Sequence, residues 1–108
     1  MRLSSEVWVF ALIRRVHLAG ASATLVRRGD ATGGAVLVKA RHPGSGEFEL
    51  LSEAVRGDGD TVWMRPVASR SEAEIDAYID RAAHRDPDLW VVEIEAAARE
   101  FLTEPIDE

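Results

Sequence analysis

The chain contains no cysteine. Disulfide frameworks, cysteine-bearing zinc sites, iron–sulfur clusters and thiol nucleophiles are excluded together, and cysteine usage leaves the redox compartment open. Long apolar runs are missing too: the longest, residues 7–13, is seven residues, against the roughly 20 that cross a bilayer. No transmembrane helix and no membrane partner are expected. Arg2, that run and Ala19-Gly20-Ala21 faintly imitate a secretory leader, but Glu6 before the run and Arg14, Arg15 and His17 after it are the wrong flanks, so the expected location is cytoplasmic. No Gly-x-Ser-x-Gly elbow and no Gly-Lys-Ser/Thr phosphate-loop ending occur, and the only lysine is Lys39.

What is present is an ordinary globular composition, 46% hydrophobic and 30% charged over 108 residues. It predicts one domain over residues 1–108, with a core at about 5–95 and an acidic tail at about 96–108. The net charge of −6 conceals an asymmetry: residues 1–70 sum to +3 and residues 71–108 to −9. Such halves either face each other in the folded monomer, the simpler reading, or mark a partner surface.

Ser4 or Ser5 can cap a helix over about residues 5–19, stopped by Gly20. Its apolar residues wrap more than half the circumference, which predicts burial on more than one side, although a strand over residues 7–13 also fits. Four runs with strand character follow at residues 21–28, 35–41, 47–54 and 61–67, separated by glycine- or proline-containing turns. Pairing Leu25 with Val38, Val38 with Leu50 and Leu50 with Met64 sets apolar residues opposite apolar ones, and Lys39, Arg41 and Arg65 opposite Glu49, Glu47 and Glu49. One face then holds Ala23, Leu25, Val36, Val38, Ala40, Phe48, Leu50, Val62 and Met64. The other is charged and crossed by an apolar row of Val26, Leu37, Leu51 and Trp63. A second helix runs from a Ser69 or Ser71 cap to about Arg85, before Pro87, and residues 89–94 form a fifth strand beside strand one or strand four. The expected fold class is α+β: helix, four-stranded antiparallel meander, helix, fifth strand, with the helices packed on the sheet.

Glu72, Asp76, Asp80 and His84 recur every four residues along the second helix, a spacing open to a divalent cation but usual for a solvated face. Gly29, Asp30, Gly33 and Gly34 read as hairpin-turn residues able to adopt positive φ, and Arg-Gly-Asp within them is a chance tripeptide. The restriction-nuclease acid-x-Lys pair fails because Leu37 stands where the acid belongs. The acetyltransferase pyrophosphate loop fails at Arg65-Pro66-Val67-Ala68-Ser69-Arg70.

Trp8, Arg14-Arg15, Val26-Arg27-Arg28-Gly29-Asp30, Gly34-Ala35-Val36 and Asp86-Pro87-Asp88-Leu89-Trp90-Val91-Val92-Glu93 resemble a small bacterial family, domain of unknown function 1491, over about residues 5–95. The resemblance implies a bacterial cytoplasmic protein and brings no activity, cofactor or catalytic residue.

No catalytic, cofactor-binding or metal-ligating residue is assigned on these grounds. The expected function is a non-enzymatic binding or protein-interaction module. One alternative is an enzyme with a scattered Asp/Glu/His site; another, disfavoured by the acidic balance, is a nucleic-acid binder using Arg14, Arg15, Arg27 and Arg28 as polyanion contacts. If both helices cover the inner face, the row Val26, Leu37, Leu51 and Trp63 is left as an interface for a two-fold homodimer; one helix on each face would need no partner.

Overall fold

The computed structural model describes residues 3–107. Its first element, α1 (Ser5–Leu18), starts where the Ser4 side chain accepts a hydrogen bond from the Val7 N–H. It ends at Gly20, whose φ of 83° lets the Gly20 and Ala21 N–H groups fold back onto the His17 and Val16 carbonyls. Then come β1 (Ala23–Arg27), β2 (Val36–Arg41), β3 (Phe48–Val55), β4 (Thr61–Met64), α2 (Glu72–Arg85) and β5 (Trp90–Ile94), with a short 3₁₀ turn at Ala98–Glu100. The α+β class is as expected.

The sheet is mixed, in the order β1-β5-β2-β3-β4. The expected hairpin between β1 and β2 does not form, because β5 lies between them, antiparallel to β1 and parallel to β2. The reason is burial. Trp90, Val91, Val92 and Ile94 are apolar on both faces and all buried, as a central strand must be, whereas β1 alternates half-buried and exposed residues, the pattern of an edge.

The antiparallel meander is confined to β2, β3 and β4, and its registers differ from the expected ones. Val38 stands opposite Leu51 rather than Leu50, and Ser52, not Leu50, stands opposite Met64. The one-residue shift between β2 and β3 exchanges the faces of β3 relative to β2. Leu51 and Trp63 therefore join Val36, Val38, Ala40, Trp90, Val92 and Ile94 beneath α1, which contributes Val9, Leu12 and Val16. Leu37, Leu50 and Val91 pack on the other face against Ile75 and Ala82 of α2. One helix thus covers each face. With a single layer beneath it, α1 buries only a narrow stripe and leaves Val7 and Phe10 exposed, contrary to the expected burial on more than one side. The interior also extends past residue 95, through Ala96, Ala98 and Leu102.

Lys39 fastens α2 to the sheet. It is 5% exposed, and its Nζ donates to Glu72 Oε2 at 2.6 Å and Asp76 Oδ1 at 2.9 Å, with Glu93 Oε2 at 4.0 Å and the Phe48 ring 5.0 Å away. Of the two cations expected opposite Glu49, Arg65 pairs with it and Lys39 does not. Burial lowers the ammonium's pKa, but the hydrogen bonds to Glu72 and Asp76 and the charge of Glu93 outweigh it and hold the pKa above the ordinary value. A raised folded pKa stabilises fully below the unfolded value and is lost as pH rises through the folded one. Stability is therefore expected to fall above the ordinary lysine value of about 10.4, and Lys39→Met should flatten that limb in urea titrations across alkaline pH. An unchanged limb would show that Lys39 does not carry it.

Candidate functional site

Two of the stretches that carry the family resemblance, residues 26–36 and 86–93, meet in one place, and their work there is structural. The Asp30 N–H donates to the Asp88 carbonyl at 3.0 Å, the Trp90 indole N–H to the Asp30 carbonyl at 2.7 Å, and the Arg27 guanidinium to the Pro87 and Leu89 carbonyls. Gly29 and Gly34 sit directly against the Asp88 carbonyl. Neither has the positive φ expected of a hairpin glycine; among the described residues only Gly20, Gly46 and Gly59 do. Their requirement is space, because the loop between β1 and β2 must cross the entry to β5 at backbone contact distance.

The four candidate polyanion contacts are not gathered into one patch. Arg27 is held by the loop before β5. Arg28 pairs with Glu6 and lies over the Phe10 and Trp90 rings. Arg15 donates to the Phe101 carbonyl at the opposite flank of α1, and Arg14 is exposed. The candidate interface row is divided as well. Leu37, Leu51 and Trp63 are buried within the monomer, on two different faces, and only Val26 is exposed, beside a hollow shared with Lys39, Asp76 and Glu93. These four residues form no common surface.

A cleft of about 620 Å³ opens where the start of α1, the hairpin between β3 and β4 and the segment after Leu102 converge. Trp8 lies in its wall with the ring 5.4 Å from that of Trp63, and Arg15, Glu53, Arg56, Asp60 and Glu104 line it. Glu104 Oε1 accepts from the Trp63 indole N–H at 3.0 Å, and Arg56 donates to Asp107 at 2.5 Å. The segment itself lies along β4: the Trp63 N–H donates to the Pro105 carbonyl at 2.8 Å, the Asp107 N–H to the Trp63 carbonyl at 2.7 Å, and Ile106 forms a parallel bridge with Trp63. Sequence reasoning missed Trp8, Arg56 and Glu104 as site residues. Trp8 reads as part of the helix's apolar run, and Arg56 and Glu104 are defined by partners 51 and 41 positions away.

None of the three histidines lines this cleft. His17 bonds the Ala23 carbonyl, His42 accepts from the N–H groups of its own turn, and His84 borders an outer hollow of α2 with Asp80, Arg81 and Arg85. Glu72 and Asp76 turn to Lys39, so the four-residue acidic spacing does not converge, and no group of three or more His, Asp or Glu among the described residues could hold a metal ion.

Docking of this segment is expected to depend on pH through Glu104. Burial raises its pKa, but the Trp63 indole N–H, the Thr103 hydroxyl and the Arg15 charge together hold it below the usual carboxylate range. A depressed folded pKa stabilises above the unfolded value and is lost as pH falls through the folded one. Release is therefore expected below the ordinary glutamate value of about 4.3, read as a shift of the Trp63 indole N–H resonance. Glu104→Gln should abolish the titration; an identical titration in that variant would remove Glu104 as its source.

These features define a small α+β domain, a mixed five-stranded sheet with one helix on each face and a charged, tryptophan-walled cleft at the β4 edge. The chain belongs to the family described as "Protein of unknown function (DUF1491)", which matches residues 3–104. A crystal structure at 1.87 Å resolution of a DUF1491 family protein from Caulobacter crescentus CB15 is similar with a TM-score of 0.92 and 57% identity, covering 98% of this chain and all of that one. An NMR structure of a DUF1491 family protein from the same organism gives 0.89 and 56%, over 100% and 99% of the two chains. The solution structure of protein Atu0922 from A. tumefaciens gives 0.75 and 35%, over 90% and 88%. No curated protein matches. No helix among the described residues is long and apolar enough to cross a membrane.

Proposed function

We propose that this chain is a non-enzymatic module that binds a protein segment in the cleft beside β4. The observation that carries the reading is the cleft's composition: an aromatic wall, Trp8, with both signs of charge in Arg15, Arg56, Glu53, Asp60 and Glu104, next to the backbone of an end strand. Aromatic and arginine side chains anchor protein interfaces, and backbone at a sheet edge supplies affinity that does not depend on sequence. The separate engagement of Arg15, Arg27 and Arg28 supports a protein partner over a polyanion.

Selection of random peptides on the folded protein tests this. Enriched peptides should shift the Trp8 and Trp63 indole resonances and lose binding in Trp8→Ala. If they bind instead along the outer face of α1, at Val7 and Phe10, the reading is wrong.

A further inference from the structure

The β4 edge is already occupied, and the manner of occupation describes what else fits. The segment from Glu104 to Asp107 makes two backbone hydrogen bonds to the sheet, both to Trp63. That is an isolated bridge rather than a ladder, and so few bonds at a sheet edge open at little cost. Recognition lies mostly in side chains. The first acid, Glu104, is read by the Trp63 indole N–H with Arg15 nearby, Ile106 packs against the main core, and the second acid, Asp107, is read by Arg56. Pro105 and Thr103 are exposed; Pro105 is held only through its carbonyl, by the Trp63 N–H, and the Thr103 hydroxyl donates back to Glu104 within the segment. The receiving surface is cationic and donor-rich where the segment is acidic.

Resting on the proposed binding role, we infer that the β4 edge is a strand-addition slot for an extended partner segment of pattern acid–x–aliphatic–acid, and that residues 104–107 are its resident, displaceable occupant. The adjoining cleft is lined by Glu104 and Pro105 of the resident and by Arg56, which holds the resident's Asp107, so displacement joins cleft and slot into one longer groove. The resident competes as an intramolecular ligand, and the partner must exceed its effective concentration, which for a short connection is in the millimolar range.

The test uses the full-length chain and an acetylated hexapeptide copying residues 103–108, Thr-Glu-Pro-Ile-Asp-Glu, followed through the Trp63 indole N–H resonance. The wild type should bind it weakly. A full-length Ile106→Ala/Asp107→Asn variant, with its resident loosened and its slot intact, should bind it about tenfold or more tightly. A control peptide with glutamine and asparagine in place of the acids should lose that gain. Equal affinity for the two proteins, or an equally good control peptide, overturns the inference. Hydrogen exchange in the wild type gives an answer independent of that variant's folding. The Asp107 N–H should exchange at least about 100-fold faster than the Val92 N–H of the central strand, and exchange at the same rate would show the segment to be locked. Random-peptide binding in the cleft alongside failure of the hexapeptide would reject this inference alone; absence of any cleft-binding peptide rejects the broader reading.

Discussion

Gly29→Ala is expected to lower the melting temperature by more than about 10 °C, from a loss of roughly 3 kcal/mol or more. An added Cβ would stand 2.1 Å from the Asp88 carbonyl oxygen, 2.6 Å from Trp90 Cδ1 and 2.7 Å from the Leu89 carbonyl carbon. Two of those neighbours are backbone and cannot rotate away. The third is an indole fixed by its hydrogen bond to the Asp30 carbonyl. Relief requires the loop between β1 and β2 to move off β5, which also breaks the Asp30–Asp88 backbone bond and the Arg27 contacts. Gly33→Ala is the matched control, since nothing lies within 4 Å of its added Cβ, and it should change stability by no more than about 0.5 kcal/mol. Thermal melts of the two variants followed by circular dichroism decide the matter. A Gly29→Ala protein as stable as Gly33→Ala would mean that the close crossing is absent in solution.

The contrast between those glycines marks where the sequence was legible and where it was not. Local chemistry placed the elements well: the Ser4 cap, the Gly20 stop, the helix ending at Arg85 before Pro87 and the apolar run Trp90–Ile94 all lie where capping and turn rules put them. Pairing between distant segments was not legible. Charge matching accepts Lys39 opposite Glu49, yet its true partners, Glu72, Asp76 and Glu93, arrive from α2 and β5. The apolar alternation of β2 and β3 tolerates a one-residue slip, and the turn at residues 42–47, closed by the His42 N–H on the Glu47 carbonyl, selects the register. Burial on both faces of β5 was the available signal that it belongs inside the sheet. A glycine that yields space to a strand 60 residues later looks, in sequence, like a glycine that makes a turn. The cleft was hidden for the same reason, since its ion pair and indole contact join residues with no periodic relation.

Trp63→Ala should cost about 3–5 kcal/mol, a large share of the 5–15 kcal/mol or so that holds a typical domain folded. The side chain is fully buried beneath α1, packs at a tilt against Trp8 and supplies a donor for Glu104, so truncation opens a cavity and takes one hydrogen bond from a carboxylate together. Trp63→Phe separates the two effects. It retains most of the ring volume and removes the indole N–H, which should cost about 1–2 kcal/mol and act mainly on the docked segment. The expected signature is a nearly normal urea midpoint with markedly faster exchange at the Asp107 N–H. Trp63→Glu places a charge in the interior and should be the most destabilising of the three. Its effect on the oligomeric state would therefore report unfolding rather than an interface. If Trp63→Ala lies within about 1 kcal/mol of wild type, Trp63 is not the packing centre that joins sheet edge, helix and docked segment, and the slot at β4 loses its structural basis with it.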